Sequence, residues 1–175
     1  MIRALFPATF DPIHNGHIDI ALRASQLFDE VIVAVYELPQ KRILFSTEQR
    51  AELVKEALKS EKKISVTTYH ELTIDLCKKM DAKVIVRGLR VFSDFEYEFR
   101  IALANRELAP DIETIALITS KEHSFLSSTT VREVASLGGD VSSMVPKHVE
   151  KALAARFAEM KANGEDAYPA APLRD

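Results

Sequence analysis

The run Val31-Ile32-Val33-Ala34-Val35-Tyr36 constrains this chain more than any other stretch. Uncharged and mostly β-branched, it reads as a strand buried on both faces, the condition of a central strand in a parallel sheet. Val84-Ile85-Val86 repeats the pattern, and Ile2 to Pro7, Ile64 to Tyr69 and Thr114 to Thr119 supply three further strands. Helical patterns lie between them. The first runs from about Gly16 to Phe28, with Ile18, Ala21, Leu22, Ser25 and Phe28 on one face. Ser46 with Gln49 forms a capping box for a second, whose apolar face is Ala51, Val54, Ala57 and Leu58. Thr73 to Met80 is a third, and Ser93 with Glu96 reads as another capping box before a helix through Leu108. A Ser/Thr cluster opens a helix near Thr130, and Pro146 precedes the last, about Lys147 to Lys161. Strands alternating with helices at these lengths predict a doubly wound α/β fold: a parallel five-stranded sheet with helices on both faces. We expect a single domain over residues 1–160 and a flexible tail over 161–175, where Gly164, Pro169 and Pro172 interrupt any apolar period.

With 175 residues and 47% apolar content, the chain is long enough for one proper core. A net charge of −3 excludes a global basic field, so we expect no nucleic-acid partner, and any phosphate chemistry must be local. The N-terminal apolar run is too short for a signal peptide, and no run approaches a membrane span. The one cysteine, Cys77, forms no internal disulfide, which fits the cytoplasm.

Ligands of such sheets bind at the carboxyl ends of the strands, and four chemistry-bearing stretches follow strands here. The first is Ala8-Thr9-Phe10-Asp11-Pro12-Ile13-His14-Asn15-Gly16-His17. Asp11-Pro12 sets a turn, Gly16 allows close backbone approach, and His14 and His17 sit three apart at a helix start whose N–H groups suit phosphate. The plainer alternative is two histidines that cap a helix. The second is Lys41-Arg42, either a solvated turn or an anion contact. The third, Arg87-Gly88-Leu89-Arg90, offers two guanidiniums for phosphate, with salt bridges to Asp94, Glu96 or Glu98 as the alternative. The fourth is Ser124-Phe125-Leu126-Ser127-Ser128-Thr129-Thr130-Val131-Arg132, whose hydroxyls exceed what one helix cap requires. Neither a glycine-rich P-loop nor a GxGxxG fingerprint is present.

His14-Asn15-Gly16-His17 early and Ser127-Ser128-Thr129-Thr130-Val131-Arg132 late resemble the two ends of the nucleotidylyltransferase superfamily pattern. Arg87-Gly88-Leu89-Arg90 with Asp94-Phe95-Glu96-Tyr97-Glu98, Asn105-Arg106-Glu107-Leu108 and Ser120-Lys121-Glu122 are similar to its bacterial phosphopantetheine adenylyltransferase family. The resemblance spans Ile2 to Leu153 and implies a Rossmann-like domain.

It further implies transfer of AMP from ATP to 4′-phosphopantetheine, giving dephospho-coenzyme A and pyrophosphate. The acceptor phosphate is already anionic at neutral pH, so no general base is required; in-line positioning and charge neutralisation are the task. By position, the resemblance assigns Thr9 and Lys41 to the attacking phosphate and His17 to the α-phosphate. Thr73 and Arg87 fall along the pantetheine site. ATP contacts fall on Thr9, Phe10, His17, the backbone of Gly88, Leu89 and Arg90, Glu98, and the stretch His123, Ser124, Phe125, Leu126, Ser127, Ser128 and Thr129, with Arg90 toward the β-phosphate. Mg²⁺ is expected on the nucleotide phosphates without a dedicated protein cage. A homohexamer of two trimers and feedback by coenzyme A are also family expectations. The helix Asp94 to Leu108, with Phe95, Phe99, Ile101, Ala102 and Leu103, is the candidate interface. Two positions depart from the pattern: Ala8 stands where the family usually has Gly, and His123 where it often has Trp. The rival readings are a sister enzyme with another acceptor, such as nicotinamide mononucleotide, and a non-catalytic nucleotide sensor.

Overall fold

The computed structural model describes residues 1–39 and 42–165. Five parallel strands, β1 (Arg3–Ala8), β2 (Glu30–Tyr36), β3 (Ile64–Tyr69), β4 (Val84–Leu89) and β5 (Glu113–Ile118), form one sheet in the order β3-β2-β1-β4-β5. Helices α1 (Asn15–Leu27), α2 (Thr47–Leu58), α3 (Thr73–Lys79), α4 (Phe92–Leu108), α5 (Ser128–Ser136) and α6 (Lys147–Ala162) connect and cover them. The chain winds outward from β1 through β2 and β3, then returns to lay β4 and β5 on the opposite side of β1. That reversal places a crevice between the carboxyl ends of β1 and β4.

Strand alternation divides the core into two layers. Ala4 and Phe6, Val31, Val33 and Val35, and Val84 and Val86 point into a layer completed by α1, α2, α5 and α6. Leu5, Ile32, Ala34 and Ile85 point the other way, onto Ile74, Leu76 and Cys77 of α3 and the Ala109–Ile112 connection. The buried β2 run is therefore a central strand covered on both faces. Cys77 is a free thiol in the second layer, and burial pushes its pKa up to about 12.

The Ser46–Gln49 capping box forms, with the Gln49 N–H donating to Ser46 Oγ at 3.3 Å and the Ser46 N–H to Gln49 Oε1 at 2.9 Å. The second expected box does not. Helix α4 begins at Phe92 with Val91 as N-cap, so Ser93 stands inside the helix rather than at its cap, and the Asp94 carboxylate accepts from the Arg90 backbone N–H and Nε. Helix α1 buries Ile20, Ala21, Ala24 and Ser25, while Ile18, Leu22 and Phe28 are half-buried. The small residues at 21 and 24 let α1 lie close on the sheet, so the buried face is rotated from the one the bulky residues suggest. The last helix reaches Ala162 with Met160 buried, and the Glu165 N–H donates to the Met160 carbonyl at 3.0 Å, so 161–165 belong to the helix end. The rest of the expected tail, residues 166–175, lies outside the described residues, as does Lys41. Among the described residues no helix is long and apolar enough to cross a membrane.

Candidate active site

Strand β1 empties into the crevice at Thr9. Phe10 follows with φ at 51°, a conformation an aromatic residue rarely adopts, and the Asp11-Pro12 peptide bond is cis. Phe10 is nevertheless 1% exposed, its ring edge-on to Phe6 at 5.6 Å and to His17 at 4.9 Å. The turn then delivers the chain to α1, where His14 is the N-cap. Its Nδ1 accepts from the His17 N–H at 3.3 Å, and His17 Nδ1 accepts from the His14 N–H at 3.4 Å. The two imidazoles stack with centroids 3.7 Å apart. With each Nδ1 occupied as acceptor, the ring proton of each imidazole sits on Nε2, as a donor. Burial, with Arg90 and His123 adding to it, holds His14 down to about 3, so His14 stays neutral at working pH. Capping and chemistry are thus not alternatives here: His14 caps the helix, and the same bonds aim His17.

Gly16 has a different reason from the one expected. A Cβ there would meet the His14 ring at 3.1 Å, so the glycine makes room for the stacked histidine where the backbone lines the crevice. Gly88 is similar: its missing Cβ lets Ile20 of α1 approach β4, at 3.3 Å from Cγ1.

Arg87, Gly88 and Leu89 are not in a loop after β4 but form its last three residues, paired with Ala116, Leu117 and Ile118. Both arginines already hold carboxylates. Arg87 grips Glu98 with Nε at 2.7 Å and Nη2 at 2.6 Å, and donates to the Pro7 carbonyl. Arg90 pairs with Asp94 at 3.0 Å and donates to the Leu126 carbonyl at 2.8 Å. The salt-bridge reading therefore holds for both arginines, and both side chains lie on the crevice wall.

The hydroxyl cluster is likewise occupied locally. Ser127 Oγ caps α5 at the Thr130 N–H, 3.0 Å away, and contacts Thr130 Oγ1 at 2.9 Å. Ser128 Oγ donates to the Pro12 carbonyl at 2.9 Å, tying α5 to the first motif, and Ser124 Oγ donates to the Lys121 carbonyl at 3.0 Å. What faces the crevice with free donor capacity is the first turn of α5, whose N–H groups lack helical acceptors.

The crevice encloses about 420 Å³. It brings together Thr9, Phe10, His14, His17, Arg87, Gly88, Arg90, Glu98, His123 and residues 127–129. Leu89, Ser124, Phe125 and Leu126 are not on its wall; Leu126 is fully buried and Phe125 points outward. Thr73 lies in an adjoining hollow of about 220 Å³ that shares Thr9 and Arg87 with the first. There Thr73 Oγ1 is 3.2 Å from the Tyr69 hydroxyl, and Tyr36, Tyr97, Ile101 and Asn105 complete the wall. Those tyrosines carried no signal in the sequence beyond strand and helix propensity.

Three buried charges were also missed. Arg50 and Asp11 are fully buried and Arg132 nearly so. Asp11 accepts the N–H groups of Leu44 at 2.8 Å and Phe45 at 3.0 Å, and the Arg132 guanidinium at 3.3 Å. A signal for Arg50 existed: it stands four residues before Val54 and eight before Leu58, on the core face of α2.

Two hollows joined at the ends of β1 and β4, one ringed by imidazole, guanidinium and a helix N-terminus, define a Rossmann-like nucleotidyltransferase. Residues 5–134 match the cytidylyltransferase-like family, and the chain belongs to it. Relatives within that family include phosphopantetheine adenylyltransferases. Those of Roseiflexus sp. (strain RS-1) and Roseiflexus castenholzii are each 50% identical over 153 residues, 87% of this chain and 96% of the relative. That of Gloeobacter violaceus is 49% identical over 155 residues. In fold, a solved Vibrio parahaemolyticus structure bearing the nicotinate-nucleotide adenylyltransferase name superposes with a TM-score of 0.66 at 20% identity, covering 88% of this chain and 99% of that one.

Proposed function

We propose that this protein transfers the adenylyl group of ATP to 4′-phosphopantetheine, releasing pyrophosphate and dephospho-coenzyme A. The observation that carries this is half-identity to phosphopantetheine adenylyltransferases across 87% of the chain. An acceptor phosphate oxygen attacks the α-phosphorus in line; the bond to the β-phosphate bridging oxygen breaks, and its electrons leave with pyrophosphate. His17 Nε2–H donates to the α-phosphate oxygens, where charge concentrates during the transfer. Thr9 and Lys41 hold the acceptor phosphate, and Thr73 and Arg87 line the pantetheine arm in the adjoining hollow. ATP lies over Gly88 and along the first turn of α5, within reach of Glu98 and His123. Arg90 turns from Asp94 to the β-phosphate, exchanging one anion for another.

Mg²⁺ arrives with ATP as part of the substrate. The chain's own donors do not fit a metal cage, because Asp94 and Glu98 are both engaged by arginines and the remaining crevice groups are mainly cationic or neutral. No step is routed through the ion. Coenzyme A, which shares the pantetheine arm and adenine nucleotide of the product, is read as a competitor for the same two hollows. We read the assembly as a hexamer of two trimers joined partly through α4, and its location as the cytoplasm.

The test is pyrophosphate release from ATP and Mg²⁺ with 4′-phosphopantetheine or nicotinamide mononucleotide. Release should require phosphopantetheine and fall by about a hundredfold or more in His17→Ala. Release with the mononucleotide alone would overturn the acceptor, and ATP binding without release would make the chain a sensor.

A further inference from the structure

Three carbonyl oxygens from three separate segments converge on one buried guanidinium. Arg50, on the first turn of α2, donates from Nη1 to the Thr9 and Tyr36 carbonyls, both at 2.7 Å, and from Nε to the Phe45 carbonyl at 3.2 Å. Nη2 donates to Thr47 Oγ1 at 3.0 Å. These acceptors mark the end of β1, the end of β2 and the entry to α2, so one side chain ties Thr9 of the crevice wall to β2 and α2. On the far side of the same turn, Arg132 of α5 donates to the Asp11 carbonyl. Residues 9 and 11 are thus held from opposite sides, and between them Phe10 keeps φ at 51°, a conformation costing on the order of 1–3 kcal/mol that persists only when its surroundings over-determine it. The Phe10 ring in turn rests against His17.

We propose that Arg50 is a positioning residue for adenylyl transfer, holding the Thr9 backbone so that Thr9 and, through Phe10, His17 present their side chains in one fixed geometry. The proposal rests on the functional reading above. Stability alone does not account for the residue. Arg50 shares the core face of α2 with Ala51, Val54 and Leu58, where an apolar side chain avoids the desolvation of a cation. A fork with five N–H donors is instead what joining three carbonyls and a hydroxyl requires; a lysine has only three donors on one atom.

Arg50→Lys keeps the charge and loses the fork. At saturating ATP and phosphopantetheine its kcat should fall about tenfold to a hundredfold, the scale of a displacement of about 1 Å at a reacting group. The ATP Kd by calorimetry should stay within about threefold, because the Gly88, Arg90 and 127–129 wall is anchored by other residues. A merely structural role would lower the unfolding midpoint and leave kcat per folded molecule unchanged. Thr47→Val, which removes one anchor and spares the arginine, should lower kcat about threefold to tenfold. A kcat within about twofold of wild type in Arg50→Lys overturns the proposal. If that variant does not fold, Thr47→Val decides by the same criterion. A wild type that turns over no phosphopantetheine overturns the functional reading itself, a distinct outcome from an active wild type beside an equally active variant.

Discussion

His14 shows how one buried side chain links capping, charge and pH. Its ring is kept neutral by burial first and by Arg90 and His123 next, with a pKa near 3 against 6.5 in a solvated chain. Between those values the unfolded chain binds a proton that the folded protein refuses. Stability from this group is therefore complete above about pH 6.5 and is lost as pH falls, at up to about 1.4 kcal/mol per pH unit. His14→Asn keeps an N-cap acceptor but removes the titration. Urea midpoints followed from neutral pH to about pH 5 should fall more steeply for wild type than for the variant. Parallel profiles would mean that the folded protein solvates His14. At this scale the residue types were legible, and so was the set of carboxylates, since Asp94 and Glu98 were two of the three named as salt-bridge alternatives; which arginine holds which was not. Arg87 and Arg90 were expected near phosphate, yet which carboxylate each holds depends on α4 folding back over β4, a contact between residues that periodicity does not relate.

Among the elements, α2 and α4 begin in contrasting ways. Ser46 and Gln49 cap α2 reciprocally, as their spacing predicts, and Ser46→Ala should destabilise the protein by about 1 kcal/mol. A shifted denaturant midpoint with unchanged slope would confirm that cost, and no shift would place the capping energy in the packing of Phe45 and Arg50. Helix α4 follows Val91 as N-cap with no side-chain cap bond, and none of its residues whose burial is described is fully buried. Phe92 is 88% exposed, and Phe92, Phe95 and Phe99 stack along one side with centroids 6.3 and 5.6 Å apart. A surface of this kind suits a second copy of the chain better than water. In sedimentation velocity, Phe92→Asp/Phe99→Asp should shift the protein to smaller species than wild type. Identical sedimentation would assign the stripe some other role. The sequence signalled this excess of apolar residues on α4, because a helix needs only one such face; it did not signal that the helix starts at Phe92, ahead of the expected Ser93 cap.

At the scale of the whole molecule, the order β3-β2-β1-β4-β5 matters most, because the return of the chain past β1 opens the crevice. It brings residues 88 and 127 onto one surface with residues 9 and 17. The strands, most helix limits and the fold class follow from the sequence, since period-2 and period-3.6 burial and local capping act between neighbours in the chain. Candidate site residues were legible for a related reason: strand ends and helix starts are local features, and in a parallel sheet they gather on one edge. What only the tertiary structure decided is how those groups are held. Arg50 reaches from α2 to carbonyls 41 and 14 residues away, Arg132 spans 121 residues to Asp11, and Ser128 spans 116 to Pro12. Buried polar groups must find partners wherever the fold places them, and no local pattern in a sequence encodes that meeting.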